Sequence, residues 1–185
     1  MEPKLKTISK DGIPEAISKI ELYRYLNEPE EAESICHDIL AADPDNQLAL
    51  RLLGLTLTDQ FEGRHSDRYT EAEKIFQSLT DPYEVQYYTG LLLERRAKAQ
   101  MKAGVSARIL VGSLHEAMRH FDEAEKIRPA HNDDAVLRWN RCVRLLEKMG
   151  HVPIEESATF HDDDTAPIEI MRRPGGRTAK EADFA

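Results

Sequence analysis

Apolar residues recur along this chain at spacings of three and four. Ile35, Ile39 and Leu40 form one group, and Leu48, Leu52, Leu53, Leu55 and Leu57 the next. Ile75, Phe76 and Leu79 follow, then Leu91, Leu92 and Leu93, and finally Val136, Leu137, Val143, Leu145 and Leu146. That period puts one apolar stripe on each of several helices, and strict alternation of the strand type is missing from these windows. Punctuation divides the stripes. Asn27 with Glu30 reads as a capping box. Asp81-Pro82-Tyr83-Glu84 reads as an N-cap, a proline at the first helical position and an acid at the third. Asp43-Pro44, Gly104, Arg128-Pro129 and Gly150 read as stops. Seven helices are predicted, over 14–26, 30–42, 47–60, 69–80, 83–103, 106–127 and 133–149. Most connections are short enough to make neighbours antiparallel hairpins. The exception is a polar loop from Phe61 to Arg68.

Beyond Gly150 the periodicity stops, and Pro153, Pro167, Pro174, Gly175 and Gly176 appear. The chain therefore divides into a helical domain, 1–150, and an acidic tail, 151–185, expected to be extended or disordered.

An internal repeat runs through the helical part. Ala117, Phe121, Ala124 and Pro129 stand at offsets of four, three and five, and Ala32, Cys36, Ile39 and Pro44 stand at the same offsets. A third copy begins at Ala72, Phe76 and Leu79, with Pro82 arriving early. Each copy lies on the second helix of a hairpin. The first helices carry Leu53-Gly54-x-x-Leu57 and Thr89-Gly90-x-x-Leu93. In this the chain resembles the tetratricopeptide repeat family over about 14–149. The resemblance implies an all-α, right-handed stack of three helical pairs closed by a C-terminal capping helix. Gly54, Gly90, Ala32, Ala72 and Ala117 would sit where backbones approach, with Phe76 and Phe121 filling the space between pairs. Several positions depart from the family pattern. Cys36 replaces the aromatic, Ile39 and Leu79 replace a small residue, and the third pair is about fifteen residues too long. An unrelated helical bundle is the competing reading.

Composition narrows the function. Net charge is −9, split −5 over 1–150 and −4 over the tail, which opposes wholesale phosphate binding and so a nucleic-acid partner. No segment has the ~20 apolar residues of a membrane span, and Met1 to Lys10 has no apolar leader core. A cytoplasmic protein is expected, with Cys36 and Cys142 as buried free thiols.

Catalytic motifs are not found. There is no phosphate-binding glycine loop and no nucleophile elbow. His115 and His120 are five apart, about 140° around a helix, which separates them as metal ligands. Asp162-Asp163-Asp164 and the short basic run Met171 to Arg177 read as solvated charge. No enzyme activity, metal or cofactor is expected.

The family resemblance implies a concave groove lined by the first helices. In that register its positions are Arg24, Tyr25, Arg51, Leu55, Tyr87, Arg95, Asn140 and Arg144. Four arginines in one groove would suit a peptide or partner segment bearing carboxylates. The clamp of carboxylate-binding members is incomplete here, because Ile17 and Glu21 stand at its first positions. The expected function is a protein-interaction scaffold. Asp162–Asp164 of the tail is a candidate intramolecular occupant. The alternatives are a self-associating structural subunit with an idle groove, and arginines that merely decorate wet helix faces.

Overall fold

The structure, a computed structural model, describes residues 2–61 and 65–150, with the backbone alone for 65–67. Among these residues there are seven α-helices and no strand. They are α1 (Ile13–Tyr25), α2 (Pro29–Ala42), α3 (Gln47–Asp59), α4 (His65–Gln77), α5 (Pro82–Lys102), α6 (Ala107–Lys126) and α7 (Asp134–Lys148). A single 3-10 turn, Lys10–Gly12, leads into α1. No helix is long and apolar enough to cross a membrane.

Local chemistry sets the ends. Asn46 accepts the Ala49 N–H at 3.0 Å and starts α3, and Asp81 accepts the Tyr83 N–H at 2.9 Å and starts α5. α5 stops at Gly104, whose φ of +81° suits glycine. There the Gly104 and Val105 amides bond back to the Met101 and Gln100 carbonyls. The expected capping box at Asn27 is corrected. Asn27 ends α1 instead of starting α2, with φ +60° and its own amide on Arg24 O. Asparagine tolerates that left-handed conformation, and α2 then opens at Pro29 with no side-chain cap. The Phe61–Arg68 loop is corrected too. α4 begins at His65, and Phe61 is buried against Tyr69 at 6.3 Å between ring centres. Arg68 is anchored by Glu33 at 2.6 Å, so tertiary contacts extend the helix past its apolar stripe.

Consecutive helices pack as hairpins, and α1–α3, α3–α5 and α5–α7 also touch. The odd-numbered helices thus form a continuous layer. Two apolar clusters fill the interior, one around α1–α4 and one around α5–α7, with Leu55 and Tyr88 packed against both. Phe76 on α4 reaches across the seam to stack on Tyr88 at 5.1 Å. A Cβ on Gly54 would lie 2.3 Å from the Phe76 ring, and one on Gly90 would lie 2.8 Å from Phe121 and 3.0 Å from the Ala117 carbonyl. Only glycine permits either approach.

All seven helices fall in one compact unit. The expectations for 151–185, including Asp162–Asp164 and the basic run, lie outside the described residues.

Candidate functional site

α1, α3 and α5 enclose a cleft of about 530 Å³, within the ~300–1,000 Å³ range of ordinary ligand pockets. α1 contributes Glu21, Arg24 and Tyr25, and Asn27 follows at its end. From the end of α3 come Thr58, Asp59 and, just past it, Phe61. The last two turns of α5 supply Arg95, Lys98, Ala99 and Lys102. Four cations face two carboxylates there, while the whole chain carries −9. Tyr25 stands at the cleft 87% exposed.

The electrostatic centre is Asp59. Arg24 Nε donates to its Oδ2 at 2.7 Å, and Arg95 Nη1 donates to its Oδ1. Arg95 Nη1 also donates to Thr58 Oγ1 at 2.6 Å. One carboxylate therefore ties guanidiniums from two other helices to the end of α3. These side chains are about a quarter exposed or less, so their attraction is screened less than at an open surface. Lys98 reaches away to Glu94 at 3.4 Å.

Three of the eight groove positions read from the sequence line this cleft: Arg24, Tyr25 and Arg95. The other five sit elsewhere. Arg51 donates to Glu84 at 2.5 Å and joins α3 to α5. The Leu55 side chain packs into both apolar clusters. Tyr87 is 9% exposed, stacked on Tyr83 at 5.8 Å and tilted against Phe121 at 6.0 Å. Asn140 and Arg144 are exposed on α7, which does not border the cleft. The eight positions do not share one concavity.

Several arginines instead pin neighbouring odd-numbered helices. Arg24–Asp59 spans α1 and α3, Arg51–Glu84 and Arg95–Asp59 span α3 and α5, and Arg138–Glu94 spans α5 and α7. Glu94 is fully buried, with Arg138 and Lys98 each 3.4 Å away. Such a charge is tolerated inside only because it has partners.

Sequence reasoning missed Asp59, Lys98 and Lys102. A signal for Asp59 exists. An acid at the last position of a helix opposes the helix dipole, so it needs a cation from outside its own helix.

The remaining candidates have other partners. His120 Nδ1 lies 2.8 Å from Gln86 Oε1 across α5 and α6, and burial lowers its pKa below the ordinary value. Cys36 and Cys142 are buried, and burial pushes both thiols up to about 12, far from the thiolate that reacts. Among the described residues no group of three or more His, Cys, Asp or Glu side chains is arranged to hold a metal. In comparison with known proteins, no family model matches the chain, and no curated protein matches it.

Proposed function

We propose that the protein is a non-catalytic adaptor of the tetratricopeptide type, which takes a partner's peptide segment into the α1/α3/α5 cleft. One observation carries the reading. Four cations and an exposed tyrosine converge on a single concavity made by consecutive first helices, in a chain of net charge −9. Guanidinium and ammonium groups around a cleft favour carboxylates through charge-assisted hydrogen bonds, and an exposed ring adds contact area at low entropic cost. The continuous layer of odd-numbered helices and the Gly54–Phe76 and Gly90–Phe121 crossings support the repeat-type stack. Two free, buried cysteines suit a reducing compartment such as the cytoplasm.

The test is binding of the full chain to arrayed acidic, neutral and basic peptides. Acidic peptides should be retained. Tyr25→Ser and Lys102→Glu should weaken that retention, while Arg144→Glu on α7 should leave it unchanged. Equal retention of the three peptide classes, or equal loss with Arg144→Glu, would remove the cleft from the account.

The second reading is self-association. Leu22 on α1 and Leu26, just past its end, are each 52% exposed and lie about one turn apart beside Tyr25. That stripe on the first helix of the stack could cover a second copy. Light scattering over a concentration series separates the two readings, since a cleft adaptor stays at one mass.

A further inference from the structure

We infer that the α5/α6 face beneath α7 is a second docking site and that α7 is its exchangeable occupant: a partner's amphipathic helix takes the place of α7 by setting a basic side chain against the buried Glu94 carboxylate. The inference does not depend on the cleft being a binding site.

Two carboxylates carry their bonds in the reverse of the order that solvation demands. Asp59, a quarter exposed, accepts from Arg24 Nε at 2.7 Å and from Arg95 Nη1. Glu94, fully buried, has Lys98 Nζ at 3.4 Å from Oε1 and Arg138 Nη1 at 3.4 Å from Oε2. Charge-assisted bonds run to about 2.7–2.9 Å, and a charge taken out of water needs the close ones. Glu94 therefore keeps part of its desolvation cost, and an opening that hydrates it removes that cost. Lys98 lies one turn along the same helix, so it stays beside Glu94 whatever α7 does. Arg138 belongs to α7. Departure of α7 is thus the step that brings water to Glu94 while α5 and α6 remain paired.

The seat of α7 is loose at both ends. Its start has no side-chain cap, and His131 in the link before it holds a left-handed φ of +65°, which relaxes once the link is free. Near its other end, Leu145 and Met149 share a narrow apolar gap with Ala97, Met101, Leu110 and Leu114, so dispersion contacts are missing there. α7 itself shows what the face accepts. Ala135, Cys142 and Leu145 are buried on one side of the helix, and Arg138 lies between the first two at helical spacing. A partner helix must also outcompete a tethered one, whose effective concentration is in the millimolar range. A cation placed closer to Glu94 than Arg138 supplies that advantage.

The experiment uses the full chain and a labelled peptide of residues 133–149 carrying Cys142→Ser. Cys36 and Cys142 are both buried, in different apolar clusters, so their reaction with a thiol reagent reports separate openings. Arg138→Met takes the α7 cation from Glu94 and leaves Lys98. Cys142 should then react about tenfold faster than in wild type, with Cys36 unchanged. That variant should capture the peptide, which restores the missing guanidinium, far better than wild type does, and a peptide that also carries Arg138→Met should not be captured. Replacing the pair with apolar side chains, Glu94→Leu with Arg138→Met, should slow Cys142 again and abolish capture. Equal acceleration of Cys36 and Cys142 in Arg138→Met would mean that the whole fold loosens, and would overturn the exchangeable helix. Acceleration of Cys142 without peptide capture, or capture that ignores Arg138 in the peptide, would overturn the docking site.

Discussion

Gly54 and Asp59 stand five positions apart on α3, and the two ends of that short stretch obey different physics. Gly54 faces the Phe76 ring in a dry crossing where an added methyl has no room. Asp59 faces two guanidiniums in a cleft open to water. At the crossing, shape decides, and a displacement of a few tenths of an ångström matters because the interior is close-packed. In the cleft, charge decides, and water and salt soften every change.

The largest effects should therefore come from the crossings. Phe76→Ala empties the space between Gly54 and Tyr88 and should cost about 3–5 kcal/mol in chemical denaturation. Gly54→Ala should over-pack the same space by about 1–3 kcal/mol. The pair must be strongly non-additive: Gly54→Ala in a Phe76→Leu background should cost clearly less than in wild type. Additive losses would mean that the two residues do not share the crossing.

The third pair offers the same test through its other partner. Ala117 is fully buried, and its carbonyl stands 3.0 Å from the place of a Gly90 Cβ. Ala117→Leu should cost about 1–3 kcal/mol by over-packing, and Ala117→Ser much less. An unchanged thermal midpoint for Ala117→Leu would break the repeat register at its clearest copy.

This contrast also explains what could be read in advance. Gly54, Gly90, Ala117, Phe76 and Phe121 were legible because a crossing needs small and large residues at fixed offsets, and those offsets survive in the chain. Helix ends at Asp81 and Gly104 were legible because capping is local. The cleft was only half legible. Of the positions taken from the register, Arg24, Tyr25 and Arg95 line the cleft, at the end of α1 and in the last two turns of α5. The register placed Tyr87 in the groove, but the ring turns into the α5/α6 core against Tyr83 and Phe121. Lys98 and Lys102 were missed because the register named no position beyond Arg95 on α5, whereas its last two turns form one wall of the cleft. Asn27 misled for a related reason. An Asn-x-x-Glu spacing fits a cap, but Pro29 two residues later already starts the helix without one.

On the charged side the expected changes are smaller. Arg51→Gln removes the α3–α5 pair with Glu84, whose partners are 33% and 19% exposed. Its cost should be about 0.5–1 kcal/mol, and it should shrink as salt is raised. A loss as large as that of Gly54→Ala, unaffected by salt, would place this pair with the dry crossings.

The smallest effect should appear only in acid. Glu33 on α2 is partly buried, and burial alone would raise its pKa. Hydrogen bonds from Gln60 and Arg68, with the Arg68 charge, outweigh burial and hold the carboxyl below its ordinary value of 4.5. A depressed pKa stabilises the fold fully above the unfolded value, and the contribution is lost as pH falls through the folded one. Glu33→Gln should therefore flatten the stability curve just below pH 4.5, measured by denaturant titration at several pH values. The chain from α2 through Gln60 to Arg68 pins the start of α4 beside the cleft-forming end of α3, so the same variant reports on the cleft. If Glu33→Gln changes acid stability and leaves acidic-peptide retention at neutral pH intact, charge pairs in this molecule act one site at a time. If binding falls as well, the end of α3 is held from both sides, and the wet and dry halves of that helix are coupled.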